Sequence, residues 1–208
     1  MDLLAPRRCV GCDLELSGLE RAFCGGCEPL VEPVLDGFRP PALSSAAYVC
    51  GGPLADGIRR LKYEGRTDLA TPLGHRLAIA ALPFAGLVDV VMAVPLHRAR
   101  LRSRGFNQSA LLAAPVARAL GVPLDVWRLS RVRDTPPQVG LDAAQRAENI
   151  RGAFRCRPDV EARVLLVDDV RTTGATFAAA AEVVRKAGAT TVFLLALGLA
   201  EGPSVSSW

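Results

Sequence analysis

Two adjacent carboxylates, Asp168 and Asp169, directly follow a short apolar run, residues 164–167. The run has the composition of a parallel strand that is buried on both faces. Ligands of open α/β sheets bind at the carboxyl ends of such strands, so the pair stands where chemistry is expected. A carboxylate repels anions, and its partners are therefore hydroxyl groups, a metal ion, or both.

The next segment, residues 172–176, has the sequence Thr-Thr-Gly-Ala-Thr and leads into a helix that we expect over residues 177–187. The first N–H groups of a helix are unpaired and carry partial positive charge, which suits a phosphate. The threonine hydroxyls add donors, and Gly174 lets the backbone approach a ligand closely. A phosphate site beside a pair that binds a diol predicts a phosphorylated ribose as the ligand.

The run from Val164 to Thr176 resembles the motif of type I phosphoribosyltransferases that binds phosphoribosyl pyrophosphate (PRPP). The resemblance implies that the acidic pair is catalytic, holds the ribose 2′- and 3′-hydroxyls and helps to orient Mg²⁺. It also implies that the turn cradles the 5′-phosphate. The alternative is an acidic strand end followed by an ordinary capped helix. The residues implied to bind PRPP are Asp168, Asp169, Val170, Thr172, Thr173, Gly174, Ala175 and Thr176.

Four of the six cysteines form two Cys-x-x-Cys motifs near the start of the chain. Four thiolates at this spacing complete a closed tetrahedral zinc shell, so we expect a structural ion. A redox motif and two disulfides are the alternatives, but the first normally uses one motif and the second needs an oxidising compartment. The other two cysteines, Cys50 and Cys156, are expected to be small buried hydrophobes. The predicted zinc ligands are Cys9, Cys12, Cys24 and Cys27.

The chain divides into a zinc-ribbon-like module over residues 1–30, a linker over residues 31–43 and an α/β domain over residues 44–208. The module has few large apolar residues, so zinc would supply stability that its own core cannot. Hydrophobic periodicity predicts the elements of the domain. We expect strands over residues 44–49, 89–94, 127–131, 152–156 and 191–200, and helices over residues 54–63, 69–82 (capped by Asp68) and 106–120 (ended by Gly121).

Residues 95–109 follow the predicted strand 89–94 and carry four arginines at alternating positions. We expect a loop whose positive charge suits pyrophosphate oxygens, with a solvated basic loop as the alternative. A general-base role for His97 is conceivable, but a histidine in a turn is the simpler interpretation. The candidates for pyrophosphate binding are His97, Arg98, Arg100, Arg102 and Arg104.

A long polar segment, residues 133–149, separates two of the predicted strands. Long loops inside compact domains are often mobile covers of active sites. We therefore expect a lid here, with Gln138, Arg146 and Asn149 as candidate residues.

Together these features resemble the ComF family, whose members join an N-terminal cysteine module to a phosphoribosyltransferase-like domain. The resemblance implies an α/β fold: a type I phosphoribosyltransferase-like parallel sheet flanked by helices, with a small four-cysteine zinc-ribbon-like module. Family members are associated with natural competence, and some relatives with gluconate or carbohydrate use. Besides the cysteine pairs and the PRPP motif, the matching segments are Leu61-Lys62-Tyr63-Glu64-Gly65, Val94-Pro95-Leu96-His97 and Arg104-Gly105-Phe106-Asn107-Gln108-Ser109. The match continues at Arg131, Thr135, Gln138, Leu141, Arg146, Asn149 and Gly152-Ala153-Phe154.

Composition agrees with a globular protein, since half of the residues are hydrophobic and 22% are charged. The net charge of +4 permits an anionic ligand without requiring nucleic acid. The apolar stretches are too short to span a bilayer, and we see no secretory signal, so we expect a cytoplasmic protein.

The leading hypothesis is a Mg²⁺-dependent phosphoribosyltransferase, linked to competence, that transfers the phosphoribosyl group to an unidentified acceptor. The alternative is a non-catalytic sensor of PRPP or a phosphoribosyl nucleotide. Its zinc module would dock a protein of the competence machinery or, weakly, single-stranded DNA. Because Phe23 is the only aromatic residue in the module, base stacking offers little support for DNA binding.

Overall fold

The apolar run that precedes the acidic pair lies at the centre of a parallel sheet. A computed structural model describes residues 7–34, 44–134 and 149–200 of the 208-residue chain. The sheet has five strands in the order β1-β7-β6-β2-β3, and all four pairings are parallel. A separate antiparallel pair joins β4 to β5. The strands are β1 (Ser44–Val49), β2 (Val90–Ala93), β3 (Leu124–Asp125), β4 (Leu129–Arg131), β5 (Phe154–Cys156), β6 (Arg163–Arg171) and β7 (Thr191–Leu199).

Helices cover both faces of the sheet, which explains why its strands are almost continuously apolar. In β6, Leu165 and Val167 pack with residues of α1, α2 and α4, whereas Val164 and Leu166 pack with residues of α5. Among the described residues, no helix combines the length and the apolar character that crossing a membrane requires. The α-helices are α1 (Gly52–Tyr63), α2 (Ala70–Ala81), α3 (Arg98–Arg104), α4 (Gln108–Leu120) and α5 (Ala175–Lys186), and short 3-10 turns lie at Glu28–Leu30, Thr67–Leu69 and Leu82–Phe84.

The predicted elements are present, with most boundaries within two or three residues of those expected. The helix predicted to end at Gly121 does so, with this glycine in the left-handed conformation at φ 68°. The proposed cap at Asp68 is wrong. Residues 67–69 form a 3-10 turn instead, and the Asp68 carboxylate pairs with the guanidinium of Arg66 at 2.8 Å.

The cysteine module shares its core with the α/β domain. Val10 and Phe23 are buried in the same apolar cluster as Leu54 and Leu73, from α1 and α2. The first residues of the predicted linker also follow the sheet, because Val34 N–H donates to Ala47 O of β1 at 3.1 Å. Residues 35–43, the rest of that linker, lie outside the described part of the chain. The module therefore packs tightly on one face of the domain.

Candidate functional site

The acidic pair lies inside β6, because this strand is longer than its apolar run predicts. The neighbouring strand β2 ends at Ala93, opposite Val167, while on the other side Asp168 still pairs in register with Ala196 of β7. The sheet therefore has a step at the pair, where one neighbouring strand is missing. Such a step at the carboxyl end of a parallel sheet leaves room for a ligand.

Asp168 is fixed by two hydrogen bonds to the same oxygen atom. Its Oδ1 accepts from the Ser109 hydroxyl at 2.7 Å and from the backbone N–H of Asp169 at 2.9 Å. Ser109 lies in the first turn of α4, which is capped by the side chain of Asn107. Both carboxylates are almost fully buried, with exposed fractions of 8% for Asp168 and 4% for Asp169.

A lysine from another element compensates part of this buried charge. Lys62, in the last turn of α1, forms an ion pair with Asp169 Oδ2, and only 19% of its side chain is exposed. The other oxygen, Oδ1, accepts from the backbone N–H of Val170 at 2.8 Å. Burial, the largest single effect, would favour a neutral amine, but the charge and hydrogen bond of Asp169 together with the charge of Asp168 outweigh it and raise the pKa of Lys62. The site therefore holds two carboxylates and one ammonium group.

The surroundings of Asp168 favour its neutral form. Burial, followed by repulsion from Asp169, raises the pKa of Asp168 to about 7, although the Ser109 hydroxyl and Lys62 act in the opposite direction. Near neutral pH this carboxyl group is consequently poised between its neutral and charged forms.

This raised pKa predicts a pH-dependent stability. An unfolded aspartate has a pKa of about 3.9, so between about pH 4 and pH 7 the folded protein binds more protons at this residue than the unfolded chain. Its contribution to the free energy of unfolding therefore falls as the pH rises through this window and is constant above it. We expect Asp168→Asn, which mimics the neutral acid, to gain about 1–4 kcal/mol relative to wild type between pH 5 and pH 8. Urea unfolding of both proteins at both pH values measures this gain, and an equal difference at the two values would contradict it.

The segment after the pair has the predicted strand–turn–helix form. β6 ends at Arg171, and α5 begins at Ala175, with Gly174 in the left-handed conformation at φ 80°. The Thr173 hydroxyl accepts from the backbone N–H of Ala175 at 3.4 Å. Thr172 and Thr173 are exposed, and Thr176 is half-buried. The threonine hydroxyls and the first N–H groups of α5 therefore lie at the strand end that carries the acidic pair.

The arginine-rich segment is a short helix, α3, and not the loop that the sequence predicts. His97 caps it, with Nδ1 accepting from the backbone N–H of Ala99 at 3.4 Å. Because a helix has 3.6 residues per turn, alternating positions diverge onto different faces. Arg98 and Arg102 are exposed, whereas Arg100 and Arg104 are half-buried. The latter two line a cleft of about 490 Å³ whose walls are Lys62, Tyr63, Gly65, Arg100, Ser103 and Arg104.

The ends of α1 and α3 contact each other at this cleft. The Arg104 guanidinium lies 5.4 Å from the centre of the Tyr63 ring and donates to Gln108 Oε1 at 2.6 Å. At the other end of α3, Asp134 Oδ1 lies 3.6 Å from His97 Nδ1 and 3.7 Å from Arg100 Nε. The cleft is strongly basic, and Lys62 connects it to the acidic pair.

Two residues that contact the acidic pair, Lys62 and Ser109, were not among the predicted site residues. Both lie in segments that resemble the ComF family, but nothing in their spacing shows that they meet Asp168 and Asp169. One signal was available for the first, since Lys62 is one of only two lysines among 25 basic residues. Of the candidate lid residues, Gln138 and Arg146 lie outside the described residues, and Asn149 is half-buried at the start of the last described range.

The four cysteines of the two motifs lie together and can hold a metal ion. Their sulfur atoms are all within 4.8 Å of one another, and the Cys12 and Cys24 sulfurs are 3.6 Å apart. A tetrahedral zinc site with Zn–S distances of about 2.3 Å has sulfur atoms roughly 3.8 Å apart, so the cluster has a suitable size. Backbone N–H groups also favour a thiolate here. The pKa of Cys24 is lowered to about 7, chiefly by a hydrogen bond from the backbone N–H of Cys27 and also by one from the Cys12 thiol.

Three comparisons place these observations among known proteins. A family described as "Phosphoribosyl transferase domain" matches residues 107–198. "DNA utilization protein YhgH" of Shigella flexneri is 38% identical over 146 residues, which are 67% of this chain and 64% of that protein. "Competence protein F" of Haemophilus influenzae is 28% identical over 210 residues, which are 87% of this chain and 92% of that protein.

Among solved structures, the "structure of the allosteric regulatory enzyme of purine biosynthesis" has a TM-score of 0.46 and 23% identity, covering 66% of this chain and 29% of that one. The chain spans about 64% of the length of the YhgH relatives. The family match, the helix-flanked parallel sheet and the cysteine cluster confirm the predicted fold class.

Proposed function

Because this chain belongs to the ComF family, we propose that it is a Mg²⁺-dependent phosphoribosyltransferase that binds PRPP at Asp168 and Asp169. One observation carries the proposal. The buried acidic pair lies in a single strand end between a basic cleft and a hydroxyl-rich helix N-terminus. A ligand with a diol between two phosphorylated ends matches these three surroundings, and PRPP is such a ligand.

The ribose would be held by the acidic pair. As carboxylates, Asp168 and Asp169 would accept hydrogen bonds from two vicinal hydroxyls of the ribose. The Ser109 hydroxyl, which donates to Asp168 Oδ1, holds the Asp168 carboxylate in place. Without a ligand, Lys62 neutralises one of the two charges. The 5′-phosphate would be bound by the backbone N–H groups and hydroxyls of residues 172–176.

The pyrophosphate would lie in the basic cleft. Arg100 and Arg104 line it, so we propose them as the arginines that contact the diphosphate. Arg98 and Arg102 face solvent and would contribute only to the longer-range field. Mg²⁺, when bound, supplies charge neutralisation at the diphosphate, and the two carboxylates offer the oxygen ligands that it prefers.

In the proposed reaction, the acceptor forms a bond to ribose C1 as the bond from C1 to pyrophosphate breaks. The electron pair leaves with the pyrophosphate, and positive charge develops on the ring. The fixed carboxylates and arginines would act by positioning the sugar and stabilising the departing anion. We further propose that residues 133–149 form a lid over the site. We also propose that the protein is located in the cytoplasm, because its reducing conditions keep the four cysteines as thiols.

For the cysteine cluster we propose zinc in a structural role. The four thiols provide a complete tetrahedral shell, so no position is left open for a substrate. The sulfur of Cys9 also accepts from the backbone N–H of Cys24 at 3.3 Å. Such hydrogen bonds from the backbone are typical of the surroundings that stabilise metal-bound thiolates.

The alternative function is a non-catalytic sensor that binds PRPP or a nucleotide and docks a partner through the cysteine module. The names of these relatives, which refer to DNA utilization and competence, favour it. The structure weakens one version of it. Phe23 is only 2% exposed and its ring is covered by Arg76 at 5.5 Å, so it cannot stack on a base of single-stranded DNA.

Release of pyrophosphate separates the two functions. We expect the protein to release pyrophosphate from PRPP and Mg²⁺ in the presence of at least one acceptor from a panel of bases and amines. In the double variant Asp168→Asn, Asp169→Asn, turnover should fall about 10²–10⁴-fold, because two hydrogen bonds to charged groups are weakened. Binding of PRPP without turnover on any acceptor would support the sensor instead.

A further inference from the structure

Helix α1 contacts both the cysteine cluster and the acidic pair. Pro53, Gly57 and Arg60 lie on one face of the helix and contact the loop of the first Cys-x-x-Cys motif, residues 9–12, which we call the first knuckle. Lys62, in the last turn, ion-pairs with Asp169. One short helix therefore joins two sites that are far apart in sequence.

Arg60 makes the polar half of the contact with the knuckle. Its Nη1 donates to the carbonyl oxygens of Val10 and Gly11 at 3.0 and 3.1 Å, and its Nη2 lies 2.6 Å from Asp13 Oδ1. The residue is only 7% exposed, so this guanidinium is placed where water cannot replace its partners easily. The two carbonyls belong to the turn that presents Cys9 and Cys12, and their direction depends on the shape of that turn.

The apolar part of the contact between α1 and the first knuckle consists of close packing at two glycines. A Cβ atom on Gly57 would lie 2.1 Å from Val10 Cγ1, and one on Gly11 would lie 2.5 Å from Pro53 Cβ. These distances are far shorter than any real contact, so the knuckle and α1 touch backbone to side chain at both glycines. A change in the knuckle must therefore move the helix or lose the contact.

Lys62 and Arg60 lie on different sides of α1. Lys62 follows Arg60 by two residues, which places the two side chains about 200° apart around the helix axis. Leu54, Ile58 and Leu61 are buried and hold α1 against the core, but they are apolar and do not direct the ammonium group. The rotation and height of α1, and with them the reach of Lys62 to Asp169, therefore depend both on these apolar contacts and on the contacts of Arg60 with the first knuckle.

We propose that the first knuckle, closed by the metal ion, positions Lys62 at the acidic pair through α1, with Arg60 as the positioning residue. The importance of this contact for PRPP rests on the proposed function. The coupling itself does not, because the position of Lys62 can be measured without any ligand.

The composition of the chain offers a direct test. Lys62 and Lys186 are its only lysines, and the side chain of Lys186 is 72% exposed. In the zinc-loaded protein, an amine-acylating reagent should therefore modify Lys186 quickly and Lys62 slowly, as peptide mass spectrometry can quantify. We expect Arg60→Met, and removal of the metal by a chelator, to speed modification of Lys62 about tenfold or more relative to Lys186.

The matched control is Arg59→Met. Arg59 is the neighbouring arginine on α1, but its side chain is 58% exposed and pairs with Glu64 at 2.6 Å. We expect this variant to leave the ratio of the two lysine rates within about twofold of wild type. Hydrogen exchange of the β6 amides reports in parallel whether the central sheet stays folded.

If Arg60→Met does not fold, Gly57→Ala tests the same contact, because its methyl group must displace Val10. A folded Arg60→Met or Gly57→Ala protein whose Lys62 stays as protected as in wild type would overturn the proposal. A titration with PRPP and Mg²⁺ forms a separate arm. Faster modification of Lys62 without any measurable PRPP binding to wild type would uphold the coupling and refute the proposed function.

Discussion

Replacing Asp168 by Asn is expected to weaken PRPP binding about 10–100-fold while leaving the fold at least as stable as wild type at pH 8. Both hydrogen bonds to this carboxylate, from Ser109 and from the Asp169 N–H, are accepted by Oδ1, and an asparagine oxygen can accept the same two. Only the charge is lost, which removes the strong hydrogen bond to a ribose hydroxyl and also the repulsion from Asp169. Calorimetric titration with PRPP and Mg²⁺ measures the first effect, and thermal unfolding measures the second.

Glu182→Gln is the matched control for this variant. Glu182 is an exposed carboxylate on α5 that pairs with Lys186 in the next turn, so the substitution removes one negative charge outside the proposed binding site. It should leave PRPP affinity within about twofold of wild type. Wild-type affinity in a folded Asp168→Asn protein would show that this carboxylate does not hold the sugar.

Removing the ammonium group of Lys62 should have the largest effect on stability. We expect Lys62→Met to lower the free energy of unfolding by about 3–5 kcal/mol at pH 8, because two neighbouring carboxylates would remain buried without a cation. For a chain of this size the loss corresponds to a decrease of roughly 6–20 °C in the melting temperature. The effect should be smaller at pH 5.5, since protonation of Asp168, whose pKa is raised to about 7, relieves the repulsion.

A double-mutant cycle with Asp169→Asn tests the physical cause of this loss. If the loss arises from unpaired charge, Lys62→Met should cost much less in the Asp169→Asn background than in wild type. Lys186→Met is the control, because Lys186 is exposed and its ion pair contributes less than about 1 kcal/mol. Equal costs in the two backgrounds would assign the effect to lost packing and not to charge.

Local sequence order carries enough information to predict the centre of this site. An apolar run, two acidic residues and a hydroxyl-rich turn with glycine each have a direct structural meaning, and the structure has the strand, the turn and the helix in that order. The sheet was also predictable, because strands buried on both faces have nearly continuous apolar sequences. The structure differs at the end of β6, which is longer than predicted. The strand continues past the last residue of β2, Ala93, so that Asp168 lies within it.

The rest depends on packing between distant segments, which local patterns do not encode. Lys62 and Ser109 reach the acidic pair from α1 and α4, and no spacing rule connects those helices to β6. The arginine-rich segment has too little apolar periodicity to predict a helix, so its alternating charges favour a loop. Likewise, the glycines of the first knuckle predict turns, but their second role, close contact with α1, is visible only in the fold.

We propose that the buried carboxylate pair binds the sugar of PRPP, and one calorimetric experiment tests this binding most directly. The zinc-loaded wild-type protein, titrated with PRPP in the presence of Mg²⁺, should show saturable binding in the range of about 1 μM to 1 mM. The folded double variant Asp168→Asn, Asp169→Asn should show none under the same conditions. Absence of saturable heat with the folded wild-type protein, or equal binding by the double variant, would contradict the account.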